Sequence, residues 1–245
     1  MKLTIADPRY LRDSISVISE LVNEVSIKFD KDGMEIIAMD PANVAMVVFR
    51  LLSSAFVEYD IKQDISFNVN LENFKQILKR AKPNDNISLD LDEDLNRLNI
   101  SLIGDSKRNF SMSLLDAGDK EQKVPSLNFS AKILINSLNF NELIEDMGIV
   151  GESVNFEVKD GKLIVHSDGN FGSGKAEVLT SGDTKIEGVG KARYSLEYLR
   201  KIAKGGKLSD NIILEFSKDY PLKVEYKVVD KLVLATILAP RVSND

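Results

Sequence analysis

The sequence predicts an α+β protein of two similar domains joined by a long connector, and three observations carry that prediction. Residues 71–91 (LENFKQILKRAKPNDNISLDL) and 196–216 (LEYLRKIAKGGKLSDNIILEF) repeat one unit in register: a short helix, a Pro or Gly-Gly break, then Asp-Asn-Ile opening a strand. Residues 24–33 (EVSIKFDKDG) and 152–161 (ESVNFEVKDG) each run an alternating strand into Asp-Gly, the strongest short hairpin signal. Between the copies, 114–129 (LLDAGDKEQKVPSLNF) leaves a strand-like run and loses all periodicity over 116–125. Ten extended residues reach roughly 33–36 Å. No hairpin needs that length, so the segment is expected to cross the outside of the molecule between domains. The expected division is 1–115, a connector at 116–126, and 127–245.

The elements follow in order. A first helix is expected over 8–22, with Pro8 at its start, Asp7 or Asp13 as its cap, and Leu11, Ile15, Ile18, Leu21 and Val22 on one face. The hairpin at 24–39 follows, then further strands, the helix at 71–82 and more strands. In the second half a helix over 138–147 carries Phe140, Leu143, Ile144 and Met147 on one side. A hairpin over 152–166, the helix from Leu196 and final strands complete the same order. Two halves of one plan imply a pseudo-two-fold molecule with sheets on one side and four short helices on the other.

Composition narrows the function. The chain has 245 residues, 43% of them hydrophobic, enough for a substantial core. It has no Cys and a single His, His166, which excludes a Cys/His zinc site, a disulfide scaffold and a Cys nucleophile. No apolar run approaches the ~18 residues of a membrane span. The start, MKLTIADPRY, lacks the apolar core of a signal peptide. An intracellular protein is expected, with no membrane contact, cofactor or metal. The net charge of −6 argues against coating nucleic acid with the whole surface, so the local distribution of charge decides. Charged residues at 29% without Cys or Trp suit a thermophile.

That distribution is patterned. Lys75, Lys79 and Lys82 stand at i, i+4, i+7, and Arg200, Lys204 and Lys207 repeat the spacing in the second copy. Such spacing places three cations on one helix face, opposite the apolar one. Arg80 and Lys201 flank the stripes, and Arg9 and Arg12 add an i, i+3 pair on the first helix. For one helix a solvated face is the plain explanation; recurrence in both copies favours a phosphate-facing surface without base readout. The helix at 138–147 departs from this, with Glu142, Glu145 and Asp146 on its outer face.

Three motifs fail on inspection. GNFGSGKA (169–176) is one residue short of a phosphate-binding loop, and Ala176 replaces the hydroxyl that should hold magnesium. The next residues also look like a strand, not a helix N-terminus. Asp90, Asp92 and Asp94 imitate a calcium loop, but Leu95 and Ser101 stand where Gly and Glu are required. His166 has Ser167 and Asp168 beside it, but neighbours in a strand face opposite ways, so no triad forms.

IAMDPANVAMV (37–47), the helix at 71–82, the acidic connector ending in Val-Pro, PLKVEY (221–226) and LAPR (238–241) together resemble the sliding-clamp family of proliferating cell nuclear antigen, in its archaeal form. The resemblance runs through essentially the whole chain. It implies a trimeric ring around duplex DNA, either homo- or heterotrimeric, with helices lining the pore and sheets outside. It implies a non-catalytic processivity factor in the archaeal cytoplasm, associated with the chromosome. A clamp loader would open the ring. DNA polymerase, flap endonuclease, DNA ligase and other enzymes would dock through a short interacting motif. The implied DNA-binding residues are Arg9, Arg12, Lys75, Lys79, Arg80, Lys82, Arg200, Lys201, Lys204 and Lys207. The implied partner pocket is Met39, Val44, Met46, Val124, Pro125, Pro221, Ile237, Ala239 and Pro240. Where the family often has an aromatic before Leu-Ala-Pro, this chain has Thr236-Ile237, which points to different partners. The implied subunit contact joins an edge at 109–115, with Asn109, Phe110, Ser111, Met112 and Ser113, to a neighbour's edge at 175–181, with Lys175, Ala176, Glu177, Val178 and Leu179. The competing readings are a protein-interaction scaffold that ignores DNA and a nucleotide-binding enzyme using the 169–175 loop.

Overall fold

The computed structural model describes residues 1–116, 122–170 and 172–242. These fall into two compact units that exchange short segments. Unit 1 comprises Met1–Met39, Val47–Val124 and Val228–Leu234; unit 2 comprises Asp40–Met46, Pro125–Lys227 and the chain from Ala235. Of the expected connector, 117–121 lie outside the described residues. Asp116 is held by the Asn68 amide (2.9 Å), and 122–126 are exposed and irregular.

Unit 1 contains β1 (Lys2–Ile5), α1 (Pro8–Ile18), β2 (Glu24–Asp30), β3 (Gly33–Met39), β4 (Ala45–Leu52), β5 (Phe56–Asp60), β6 (Ile65–Asn70), α2 (Leu71–Leu78), β7 (Asn86–Asp92), β8 (Arg97–Ile103) and β9 (Lys107–Ser113). Strands β5-β1-β7-β8-β9 form one antiparallel sheet, and β4, β3, β2 and β6 are neighbours in another. Along β2, Val25, Ile27 and Phe29 point inward and the residues between them outward, the period of a half-buried strand. Helices α1 and α2 pack together, burying Leu11, Ile15 and Ile18 from one and Leu71, Phe74 and Leu78 from the other.

Unit 2 repeats the plan with β10 (Ala131–Asn136), α3 (Ser137–Val150), β11 (Ser153–Lys159), β12 (Lys162–Gly169), β13 (Gly172–Leu179), β14 (Lys185–Gly188), β15 (Gly190–Ser195), α4 (Leu196–Ala203), β16 (Asn211–Phe216), β17 (Leu222–Val228) and β18 (Leu232–Leu238), of which Val228 and Leu232–Leu234 are counted with unit 1. Its sheets run β13-β12-β11-β15 and β14-β10-β16-β17-β18. Phe156, Tyr194 and Phe216 meet edge-on or tilted with centroids 5.7–6.4 Å apart, each fully buried. Each such ring contributes about 1.5–3 kcal/mol by burial.

Several boundaries differ from expectation. The first helix stops at Ile18 rather than 22: Glu20 and Leu21 bond back only three residues, although Leu21 and Val22 stay buried. Apolar periodicity reported burial there, not helix. Asp7, not Asp13, is the cap, accepting the Arg9 N–H at 3.0 Å. The helix expected at 138–147 runs longer, because Asn136 caps it and nothing breaks it before Gly151. The Asp-Gly hairpins also differ. In unit 2, Asp160 and Gly161 are the two loop residues, both at positive φ (53° and 71°), between paired Lys159 and Lys162. In unit 1 the loop is Lys31-Asp32, and Gly33 already pairs with Asp30. Gly33 is required there because a Cβ would collide with the Leu51 carbonyl.

Candidate functional site

The two basic helices end alike. In α2 the Lys79 N–H still reaches Lys75 O in the α pattern, but Arg80 and Ala81 bond to Ile77 and Leu78, three residues back. In the repeat, α4 stops at Ala203 and a 3-10 turn, Lys204–Lys207, follows. The helix expected over 71–82 is therefore α-helical only to Leu78, and the i, i+4, i+7 stripe does not continue as one ladder. The cations beyond that point sit on a tightened turn that exposes Lys79, Arg80, Lys82, Lys204 and Lys207.

The turn in unit 1 is fixed from beneath. Asp85, 2% exposed, accepts the Lys82 N–H (2.7 Å) and pairs with Arg108 of β9. Arg108 also donates to Arg80 O at 2.8 Å. In unit 2, Tyr226 donates to Ile202 O (3.0 Å), and its ring lies against Gly205, where a Cβ would collide with it. The first glycine of the Gly-Gly break, Gly205, is thus a packing requirement. Neither Arg108 nor Tyr226 carries a local sequence signal for this role.

The cations are not equivalent. Lys75 is 12% exposed and paired with Glu72 at 2.9 Å. Arg12 is tied to Asp13 (2.8 Å) and to Ala81 O (3.3 Å), and Arg9 to Asp7 (2.6 Å). Among the described residues, Lys79 and Arg80 form no ion pair, and Lys82 only reaches Asp105 at 3.9 Å. Arg200 lies over Gly148 of α3 with Nε 3.8 Å from Glu145, so it partly neutralises the acidic helix beside it. The outer face of α3 carries exposed Glu142, Glu145 and Asp146, with Leu138 and Ile149 exposed as well. Lys201 pairs with Glu197 (2.8 Å) and stands 5.2 Å over the Tyr198 ring.

Tyr198 leads to a second region of unit 2. Its hydroxyl donates to Asp40 Oδ2 at 2.6 Å. Asp40, 4% exposed, also accepts the N–H groups of Ala42 (3.1 Å), Val44 (2.6 Å) and Ala45 (2.7 Å). Burial pushes its carboxyl up, but these four donors outweigh it and hold it below its ordinary value. The Tyr198 hydroxyl, bonded to that carboxylate and half-buried, is pushed up to about 12 and stays a donor. Val44 O in turn accepts the Ala239 N–H at 2.8 Å. Within unit 2, Val44, Pro221, Ile237, Ala239 and Pro240 are half-buried, Pro125 is exposed and Met46 is 5% exposed. Met39 and Val124 belong to unit 1, one half-buried and the other 45% exposed. The 37–47 segment stands out in the sequence, but the Asp40–Tyr198 pair does not. Its only local sign was an Asp opening a turn before Asn43, which adopts φ 57°.

Strands β9 and β13 are both sheet edges. On β9, Asn109, Ser111 and Ser113 are exposed, Phe110 is half-buried and Met112 buried. On β13, Lys175, Glu177 and Leu179 are exposed, and Ala176 and Val178 half-buried. Leu114 and Leu115 lie past the end of β9, and 180–181 past β13.

The set-aside motifs have structural roles. The 169–176 run forms the tip of the β12–β13 hairpin, where Gly169 pairs with Gly172 and Lys175 faces Glu177 at 2.7 Å. Phe171 lies outside the described residues. Asp92 Oδ1 accepts the Leu95 N–H (3.0 Å) in the β7–β8 turn. His166 and Asp168 share a strand face and meet at 3.1 Å, whereas Ser167 is buried on the other face and bonds to Ser153 O.

Two α+β units of one plan, each pairing two helices and each ending its second helix in an exposed cationic turn, define a duplicated α+β class of protein. The model for the N-terminal domain of proliferating cell nuclear antigen matches residues 3–121, and that for its C-terminal domain matches 123–241. The chain belongs to the proliferating cell nuclear antigen family. It is 32% identical to the DNA polymerase sliding clamp of Nanoarchaeum equitans, over 98% of this chain and 99% of that one. It is 31% identical to DNA polymerase sliding clamp 1 of Thermococcus kodakarensis, over 95% and 94%. Its fold matches the PCNA2–PCNA3 complex of Sulfolobus tokodaii with a TM-score of 0.90 at 26% identity, covering 98% of this chain and 99% of that one.

Proposed function

We propose that this chain is a sliding-clamp subunit that closes with two like subunits into a ring around duplex DNA and tethers replication and repair enzymes to it. The observation that carries this reading is the doubled cationic helix end, Lys79, Arg80 and Lys82 in one unit and Lys204 and Lys207 in the other. Lysines are flexible point charges that hold phosphate without reading bases, so they suit contact that permits sliding. Arg9, Arg200 and Lys201 add charge from exposed or half-exposed pairs that exchange cheaply for phosphate. Arg12 and Lys75 contribute less, being held by their own unit.

Ring closure uses the two edges. The β9 edge of one subunit joins the β13 edge of the next, head to tail, so that neither of these two edges is left open. The short motif of a polymerase, flap endonuclease, ligase or clamp loader docks on Val44, Met46, Pro221, Ile237, Ala239 and Pro240, with Pro125 beside them. Met39 and Val124 join that set on sequence resemblance alone. The protein does no chemistry of its own and works on the chromosome in the cytoplasm.

Retention on closed circular DNA tests the reading. After loading, the protein is expected to stay on a circle and to leave once the circle is cut. Equal release from both forms overturns it. Light scattering separates the assemblies: about 82 kDa, three times the 27.3 kDa chain, marks a homotrimer, and assembly only with related chains a heterotrimer.

A further inference from the structure

Resting on that function, the structure points to a specific link inside unit 2 between DNA contact and partner binding. We propose that Lys201, Tyr198 and Asp40 form a relay through which the cationic surface of α4 sets the shape of the 40–45 turn, and so its affinity for a partner peptide.

Each step is a direct interaction. Lys201 Nζ stands 5.2 Å over the Tyr198 ring. The Tyr198 hydroxyl donates to Asp40 Oδ2 at 2.6 Å. The Asp40 carboxylate gathers the N–H groups of Ala42, Val44 and Ala45. Val44 O is bonded to the N–H of Ala239. The chain thus passes from a lysine on the DNA side to the backbone of two docking residues.

Lys201 has two competing uses. Over the ring, its charge draws electron density from the phenol and strengthens the hydroxyl as a donor to Asp40. A DNA phosphate pulls it away, since the lysine is one-third exposed and its only ion pair among the described residues is with exposed Glu197. Such a cation over a ring is worth a modest amount, about two- to fivefold in an equilibrium. Duplex DNA is therefore expected to loosen the turn and weaken peptide binding, and by linkage the peptide weakens DNA contact by the same factor. Tyr198 is a positioning residue here: it touches neither ligand.

The test is fluorescence anisotropy of a synthetic peptide carrying an aliphatic-aromatic helical turn, titrated at low salt with and without short linear duplex DNA. For the native protein, duplex is expected to weaken peptide binding about two- to fivefold. Tyr198→Phe is expected to weaken peptide binding on the order of three- to tenfold without DNA and to abolish the response to duplex. In an Asp40→Asn background, Tyr198→Phe adds no further loss, because the pair acts as a unit. Thermal unfolding confirms that each variant is folded. A native protein indifferent to duplex, or a Tyr198→Phe variant that keeps the native response, overturns the relay. A native protein that binds no peptide at all overturns the docking assignment beneath it instead.

Discussion

The Tyr198 hydroxyl meets the Asp40 carboxylate at 2.6 Å across 158 residues of sequence. Asp40 is buried, yet four donors hold its carboxyl below the ordinary value. A carboxylate depressed in the folded state stabilises fully above its unfolded pKa, near 3.9, and loses that contribution as pH falls through the folded value. Asp40→Asn removes the charge but keeps the shape. The stability gap between native protein and Asp40→Asn is therefore expected to be flat from pH 7 to about 5 and to narrow below about 4. Denaturant unfolding at each pH reads it. A gap that widened in acid would show that Asp40 is not the ionised acceptor described here.

Much of this architecture was legible in the chain, for reasons local to particular residues. The repeat at 71–91 and 196–216 revealed the duplicated plan because each copy fills the same apolar face: Leu71, Phe74 and Leu78 against Leu196, Leu199 and Ala203. What escaped was set by distant partners. The α2 stripe looked uniform, yet Lys75 folds against Glu72 while Lys79 rides a turn fixed by Arg108 and Asp85. Spacing places a side chain on a face; only the fold decides whether it reaches solvent. Gly33 and Gly161 sit in look-alike motifs, one needed for close backbone approach and the other for a left-handed turn.

That inequality among cations makes a prediction. Removing one cation that touches phosphate should reduce the slope of log K against log salt by about 0.9. Lys79→Gln and Arg80→Gln are each expected to lower the slope by nearly that amount, as both are exposed and, among the described residues, without an ion pair. Lys75→Gln is expected to change it far less, being 12% exposed and already paired. Equal slopes for Lys75→Gln and Lys79→Gln would contradict the assignment.

Adjacent glycines after α4 should respond differently to a methyl group. At Gly205 a Cβ collides with the Tyr226 ring, which is fully buried and bonded through its hydroxyl to Ile202 O. Gly205→Ala is expected to destabilise by about 1–3 kcal/mol through overpacking. At Gly206 a Cβ would lie 3.1 Å from the Asn141 amide and 3.3 Å from Ser137 Cβ, tight but without overlap, so Gly206→Ala is expected to cost less than Gly205→Ala, about 1 kcal/mol or below. Chemical denaturation of the two variants checks the order.

Leu179 tests assembly apart from folding. It is 53% exposed on β13, an edge strand with no fully buried residue among those at 172–179. An apolar side chain on an open edge invites another strand. If β13 receives β9 of a neighbouring subunit, Leu179→Lys places a strongly hydrated charge at that seam. In the isolated chain the same lysine faces water, where surface substitutions usually stay within about 0.5 kcal/mol. The expected outcome is an unchanged denaturant midpoint under conditions that keep the chain monomeric. In solution the mass is expected to fall from the assembled value toward 27.3 kDa. Because a closed ring needs every seam, even a partial weakening at one edge should appear as steep dilution-dependent dissociation. An assembled mass identical to that of the native protein at all concentrations would place the seam on another strand.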